Sequence, residues 1–230
     1  AFIAICLVVS LVLVAGNSAG LRSEGQLDSM ASRETVFLFN NLFLTGFTLV
    51  VVLGTLFPLV AEAFQGAKVT VGAPFFNKMT IPICVALLFL MGVGPSLPWK
   101  AATPEQVKQA MLLPAGVAVS VIVACLVLGQ RDVYTVAAYA MASFAVVCNL
   151  REYWVGIAAR QKAHGESIPV ALGRLVAANQ RRYGGYLAHI GVIMTAAAIT
   201  ASSSGRLERE GTLKPGQVMA VQGDLSVRLK

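Results

Sequence analysis

Apolar residues fill six long stretches of this chain, separated by polar ones: Ala1–Ala15, Thr35–Ala61, Met79–Leu97, Met111–Leu128, Val133–Leu150 and Tyr183–Ala201. Most of these reach the roughly 20 residues that an α-helix needs to cross a bilayer core. The pattern predicts an all-α polytopic membrane protein with about six transmembrane helices over 1–203. Beyond Ser202-Ser203-Ser204-Gly205 the pattern changes. Val218–Val221 and Leu225–Leu229 gather β-formers on either side of Gln222-Gly223-Asp224, behind the turn signal Lys214-Pro215-Gly216. This predicts the start of a small β-rich outer domain over 204–230. Two strands alone are marginally stable, so that domain is expected to continue. The first apolar run has neither an initiator Met nor a basic flank, so it reads as a truncated span and not as a signal peptide.

Composition agrees with the pattern: 57% of the 230 residues are apolar and 13% charged, with a mean hydropathy of +0.73, well above a soluble domain. The net charge of +7 is placed unevenly. Arg22, Arg33, Lys100, Lys108, Arg151, Arg160, Lys162, Arg174, Arg181 and Arg182 fall in the first, third and fifth inter-span segments. Only Lys68, Lys78 and Arg131 fall in the second and fourth. Lys and Arg favour cytoplasmic loops, so the odd-numbered segments are expected inside and the tail after Ser202 outside. No nucleic-acid motif accompanies the positive charge, and no nucleic-acid partner is expected. Cys6, Cys84, Cys125 and Cys148 each lie in a separate apolar run without metal-ligand spacing and read as small core residues.

The polar and conformationally special residues inside this frame are few. Asn40 and Asn41 lie about one turn into the second span, where amides are expected to bond across helices or to backbone. Pro58 follows Gly54-Thr55-Leu56-Phe57. The segment Gly66–Lys78, with Val71-Gly72-Ala73-Pro74-Phe75-Phe76-Asn77, reads as an interfacial re-entrant turn. Gly92-Val93-Gly94-Pro95, before Trp99, reads as a helix stop followed by an aromatic belt residue. The fifth segment, Arg151–Arg182, interleaves Ile168, Val170, Leu172, Leu175 and Val176 with basic residues. It is expected to form an amphipathic helix against anionic lipid on the cytoplasmic face.

One histidine stands inside an apolar run. His189 follows Arg181-Arg182-Tyr183-Gly184-Gly185-Tyr186-Leu187-Ala188 and lies roughly 9 Å in from the basic end of its span. His164 falls in a polar loop. A ring that polar at that depth needs a partner, and a neutral imidazole is a common metal ligand. Gly184, Gly185, Ala188 and Gly191 remove bulk around it, which admits either a close helix or a flat macrocycle. No span holds a carboxylate in this reading, and no Ser-His-Asp set, phosphate loop or multi-ligand metal cluster is present, so His189 stands alone.

The motifs Ser32-Arg33-Glu34, Asn40-Asn41, Gly54–Pro58, Val71–Asn77, Gly92–Pro95 with Trp99, and Arg181–Gly191, in this order and spacing, resemble the CcmF family. CcmF is the haem lyase subunit of cytochrome c maturation. The resemblance covers nearly the whole chain and implies the C-terminal half of such a protein. It implies a resident b-type haem held by two transmembrane histidines, with His189 in the second position. It also implies that the complete protein attaches haem to the CxxCH cysteines of apocytochrome c in a bacterial inner membrane, with a periplasmic tail. The implied partners are CcmH-type and CcmI-type subunits, a CcmE-type haem chaperone, apocytochrome c, the upstream half of the same protein, and membrane lipid. The chain has no Trp-rich segment and no first transmembrane histidine. It would supply half of one haem site and be inactive alone. A transporter or a structural membrane subunit is the alternative class; it normally needs ionisable or unwound groups at the midplane, and only His189 meets that need.

Overall fold

The computed structural model describes residues 2–18, 20, 31–66, 69–98, 102–204, 218–222 and 225–228. Seven helices are followed by two strands: α1 (Phe2–Gly16), α2 (Arg33–Gln65), α3 (Ala73–Ser96), α4 (Pro104–Val127), α5 (Val133–His164), α6 (Ile168–Ala178), α7 (Gln180–Ser204), β1 (Val218–Gln222) and β2 (Leu225–Arg228). Among the described residues, five helices are long and apolar enough to cross a membrane: α2, α3, α4, α5 and α7. The sequence pattern predicts six. The difference is α1, whose 15 residues extend about 22 Å, short of a core roughly 30 Å thick. The two strands pair antiparallel, Val218 opposite Arg228 and Met219 opposite Val227. Trp99, Gly205 and the turn residues Lys214, Pro215, Gly216, Gly223 and Asp224 lie outside the described residues.

Local chemistry explains the starts of the helices. Ser32 caps α2, its hydroxyl accepting from the Thr35 amide at 3.2 Å. Thr103 and Gln106 close a reciprocal box at the start of α4, and Asp132 accepts from the Thr135 amide at 2.8 Å at the start of α5.

Two boundaries differ from the hydropathy reading. Of the stretch Gly66–Lys78 expected to be a re-entrant turn, residues 73–78 open α3, because Pro74 occupies the first helical turn, where its missing N–H costs nothing, while Gly66 caps α2 and Gly72 caps α3. The polar segment expected after Leu150 is still α5, which runs 32 residues, about 48 Å, to His164. Nothing between Arg151 and His164 breaks a helix. Gly165, with φ 65°, ends it by donating its N–H to Gln161. His164 is therefore the last, exposed residue of a helix and not part of a loop. The amphipathic helix expected in this region is the 11-residue α6.

The packing centre is α5, which touches α3, α4, α6 and α7, while α2 packs on α3. Its buried face carries Ala145, Cys148 and Asn149, all at 0% exposure. Where α3 crosses it, a Cβ at Gly92 would stand 2.9 Å from the Cα of Ala145, so only glycine permits the approach. Gly54 on α2 does the same for Phe76, whose ring would lie 2.7 Å from an added Cβ. This contact joins two of the motifs that the sequence singles out and gives both a packing role. Of the cysteines read as core residues, only Cys148 is buried; Cys6 and Cys84 are exposed on the outer faces of their helices.

Candidate functional site

The start of α2, the end of α3, the middle of α5 around Asn149 and Glu152 and the start of α7 meet at one end of the bundle. At that end a cleft of about 540 Å3 opens between α2, α3 and α7. Val36, Phe37 and Asn40 from α2, Leu90, Met91, Gly94 and Pro95 from α3, and Arg181, Arg182, Gly185, Tyr186 and His189 from α7 line it, with Arg33. Four of the motifs, from three distant parts of the chain, thus form one site. The volume lies in the range of small-molecule pockets, and the walls have their usual character, mostly apolar with a few polar groups.

The α3 wall exists because of a proline. Pro95 has no N–H, so the Met91 carbonyl one turn back loses its helical partner. Asn149 on α5 supplies the missing donor, its Nδ2 lying 3.2 Å from that carbonyl and 2.8 Å from the Ala145 carbonyl. The next open carbonyls are met by Arg33, whose Nε donates to Gly94 O at 3.0 Å and Nη2 to Pro95 O at 2.7 Å. Carbonyls at a helix C-terminus carry partial negative charge, which a guanidinium complements. Motif residues Arg33 and Pro95 therefore build the wall together. Asn40, expected to bond across helices or to backbone, lines the cleft, and Asn41 is exposed.

On the α7 wall, His189 is half-buried and its Nδ1 is buried without a hydrogen-bond partner among the described residues. A histidine kept for packing would satisfy that atom. Gly185, one turn before it, lines the same cleft, and a Cβ added there would meet nothing within 4 Å; Gly184 and Gly191 are exposed and do not line it. Among the described residues no helix fills the space beside Gly185. His164, at the far end of α5, is not part of the cleft. Among the described residues no group of three or more His, Cys, Asp or Glu gathers.

The N-terminal end of α7 is held by groups that the sequence reading placed in a loop. Glu152, at 9% exposure, accepts from Arg182 Nη2 at 2.9 Å, and Arg182 Nε donates to the Tyr186 hydroxyl at 2.8 Å. The Arg182 guanidinium lies 5.7 Å from the ring centres of both Tyr183 and Tyr186. Tyr153 donates to the Tyr183 carbonyl. A helical signal for Glu152 was available: Ala145, Cys148, Asn149 and Glu152 share one face at i, i+3, i+4 and i+7. Further out, Glu166 binds Arg160 twice at 2.9 Å and Arg174 at 2.7 Å, clasping α6 to α5. These hydrogen bonds, Arg160's foremost, hold the Glu166 carboxyl down to about 2.

Fold and site define a multi-pass α-helical membrane protein in which a histidine with an unpartnered ring nitrogen lines an apolar cleft with a basic end. No family model and no solved structure matches the chain, but curated relatives do. It is 32% identical over 194 residues to the cytochrome c-type biogenesis protein CcmF of Pseudomonas fluorescens, covering 84% of this chain and 28% of that one. It is 32% identical over 215 residues to the cytochrome c-type biogenesis protein ccl1 of Rhodobacter capsulatus, covering 93% and 31%. With CycK of Bradyrhizobium diazoefficiens, also a cytochrome c-type biogenesis protein, it shares 32% identity over 223 residues, covering 95% and 33%. The chain belongs to the CcmF family and spans about a third of the length of the relatives it matches.

Proposed function

We propose that this chain forms part of a CcmF-type haem lyase and that His189 supplies one axial ligand to a resident b-type haem in the cleft. The observation that carries this reading is the buried Nδ1 of His189, unpartnered among the described residues, in a cleft where Gly185 leaves open space. The residues present fit such a group. A neutral imidazole ligates iron, the apolar walls from α2 and α3 suit a macrocycle, and Arg181 and Arg182 place positive charge where carboxylates of the group would sit. When bound, the haem would supply a one-electron couple, which ligand identity, burial and nearby charge would tune. His189 binds, Gly185 leaves room, and Asn149 and Arg33 hold the opposite wall. The second ligand comes from upstream sequence or another chain.

In the complete protein this site would serve the formation of thioether bonds between haem vinyl groups and the cysteines of a CxxCH motif in apocytochrome c. CcmH-type and CcmI-type subunits and a CcmE-type haem chaperone would be its partners in a bacterial inner membrane. Under the same reading α1 belongs to a sixth span, and β1 and β2 open a periplasmic domain. The test is His189→Ala in the complete protein. Loss of most of the b-type absorbance, with the protein still accumulating, is expected; full haem occupancy with an unchanged spectrum would make His189 a structural residue.

A further inference from the structure

Glu152 is a buried carboxylate at the basic end of the helix bundle, and nothing in the ligand role of His189 requires it. It does not line the His189 cleft. It lines a second, more polar cleft of about 350 Å3 on the other side of Arg182, and Arg182 lines both. Arg182 is held from several directions: by Glu152 at 2.9 Å, by the Tyr186 hydroxyl at 2.8 Å and by two tyrosine rings. A guanidinium fixed this way keeps its charge at one place. Arg151, also on α5, reaches Glu152 only at 3.7 Å, so the short ion pair of Glu152 is with Arg182.

Only the carboxylate of this pair is buried, the Arg182 side chain being 45% exposed, so the pair contributes little to stability. Its larger consequence is electrostatic, because a charge beside apolar, partly desolvated walls acts more strongly than one in water. Arg33, Arg181 and Arg182 all line the cleft, and Glu152 offsets the charge of Arg182. We propose that Glu152 is the counter-charge of the His189 cleft: acting through Arg182, it sets how positive the cleft is and thereby tunes the reduction potential of the group that His189 ligates. The part concerning a redox group rests on the haem reading above; the part concerning charge does not. Glu152 is a positioning residue and touches no ligand.

Charge and mere structure predict different signs. An electron entering the cleft is favoured by net positive charge, so Glu152→Gln in the complete protein should raise the midpoint potential of the b-type pigment and Arg182→Gln should lower it. The double variant should return near the wild-type value, and Glu152→Asp, which keeps the charge, should stay close to it. A purely structural pair would move both single variants the same way, since each loosens α7 from α5. A second measurement needs no pigment. In a background lacking the four native cysteines, the thiol introduced by His189→Cys should be alkylated at lower pH when combined with Glu152→Gln and at higher pH with Arg182→Gln. Opposite shifts in this reporter uphold the counter-charge even if wild-type protein carries no haem, in which case only the ligand reading fails. Equal or same-direction shifts overturn it.

Discussion

Where α3 crosses α5, a Cβ added at Gly92 would collide with Ala145 and Phe144 at 2.9 Å, whereas on α7 one added at Gly184, Gly185 or Gly191 would meet nothing within 4 Å. The first region is filled. Ala140, Ala145, Cys148 and Ile193 are each at or below 1% exposure there, and the small residues exist so that backbones can touch. In the second region Gly185 leaves space one turn from a histidine whose buried nitrogen has no partner among the described residues. Small residues in a membrane helix thus have two uses, close packing and vacancy, and only the neighbouring helix distinguishes them.

The comparison breaks most easily at its glycines. Gly92→Leu inserts a large side chain into the filled region and should cost more than about 3 kcal/mol, the upper end of ordinary overpacking, read as lost accumulation or a lower melting temperature in detergent. Gly185→Leu should leave accumulation near normal while lowering pigment, because it occupies the cleft. Equal damage to folding from both would erase the distinction between the two regions.

A smaller effect tests the wall between them. Asn149→Ala leaves the Met91 carbonyl without a donor and should destabilise by about 1–3 kcal/mol. In a Pro95→Ala background the N–H of residue 95 returns to that carbonyl, so the same substitution should cost less. A double-mutant cycle in thermal denaturation measures the coupling. Strict additivity would show that Asn149 does not replace the missing proline donor.

The smallest effect lies outside both regions, at the clasp of α6. The folded-state pKa of Glu166, about 2, is depressed from an ordinary 4.5 by hydrogen bonds from Arg160 and then Arg174. Its contribution is therefore fully present above pH 4.5 and lost as pH falls through that value toward 2. Hydrogen exchange over 168–178 should be slow and pH-independent in protection near neutrality, and protection should fall in acid. Glu166→Gln should lose that acid dependence.

How much of this was legible follows from what each signal measures. Hydropathy reports which residues avoid water, so it located the five spans, but it says nothing about backbone continuity. It stopped α5 at Leu150, where charge begins, although the helix continues to Gly165, the first residue whose conformation ends it. That cut hid Glu152, a buried residue one turn beyond Cys148 and Asn149, and put His164 in a loop. The histidine of interest was legible because a lone imidazole in an apolar run is rare. The two uses of glycine were not, since Gly92 and Gly185 look alike until the neighbouring helix is placed. The motifs Gly54–Pro58 and Val71–Asn77, which carry part of the family resemblance, serve packing between α2 and α3 through Gly54 and Phe76.

The most direct test of the vacant region as a ligand site is His189→Gly in the complete protein, measured by visible absorbance with and without added imidazole. Removing the side chain while enlarging the cavity should abolish most of the b-type spectrum, and imidazole, entering the space beside Gly185, should restore part of it. Haem absorbance at the wild-type level without imidazole would contradict the account.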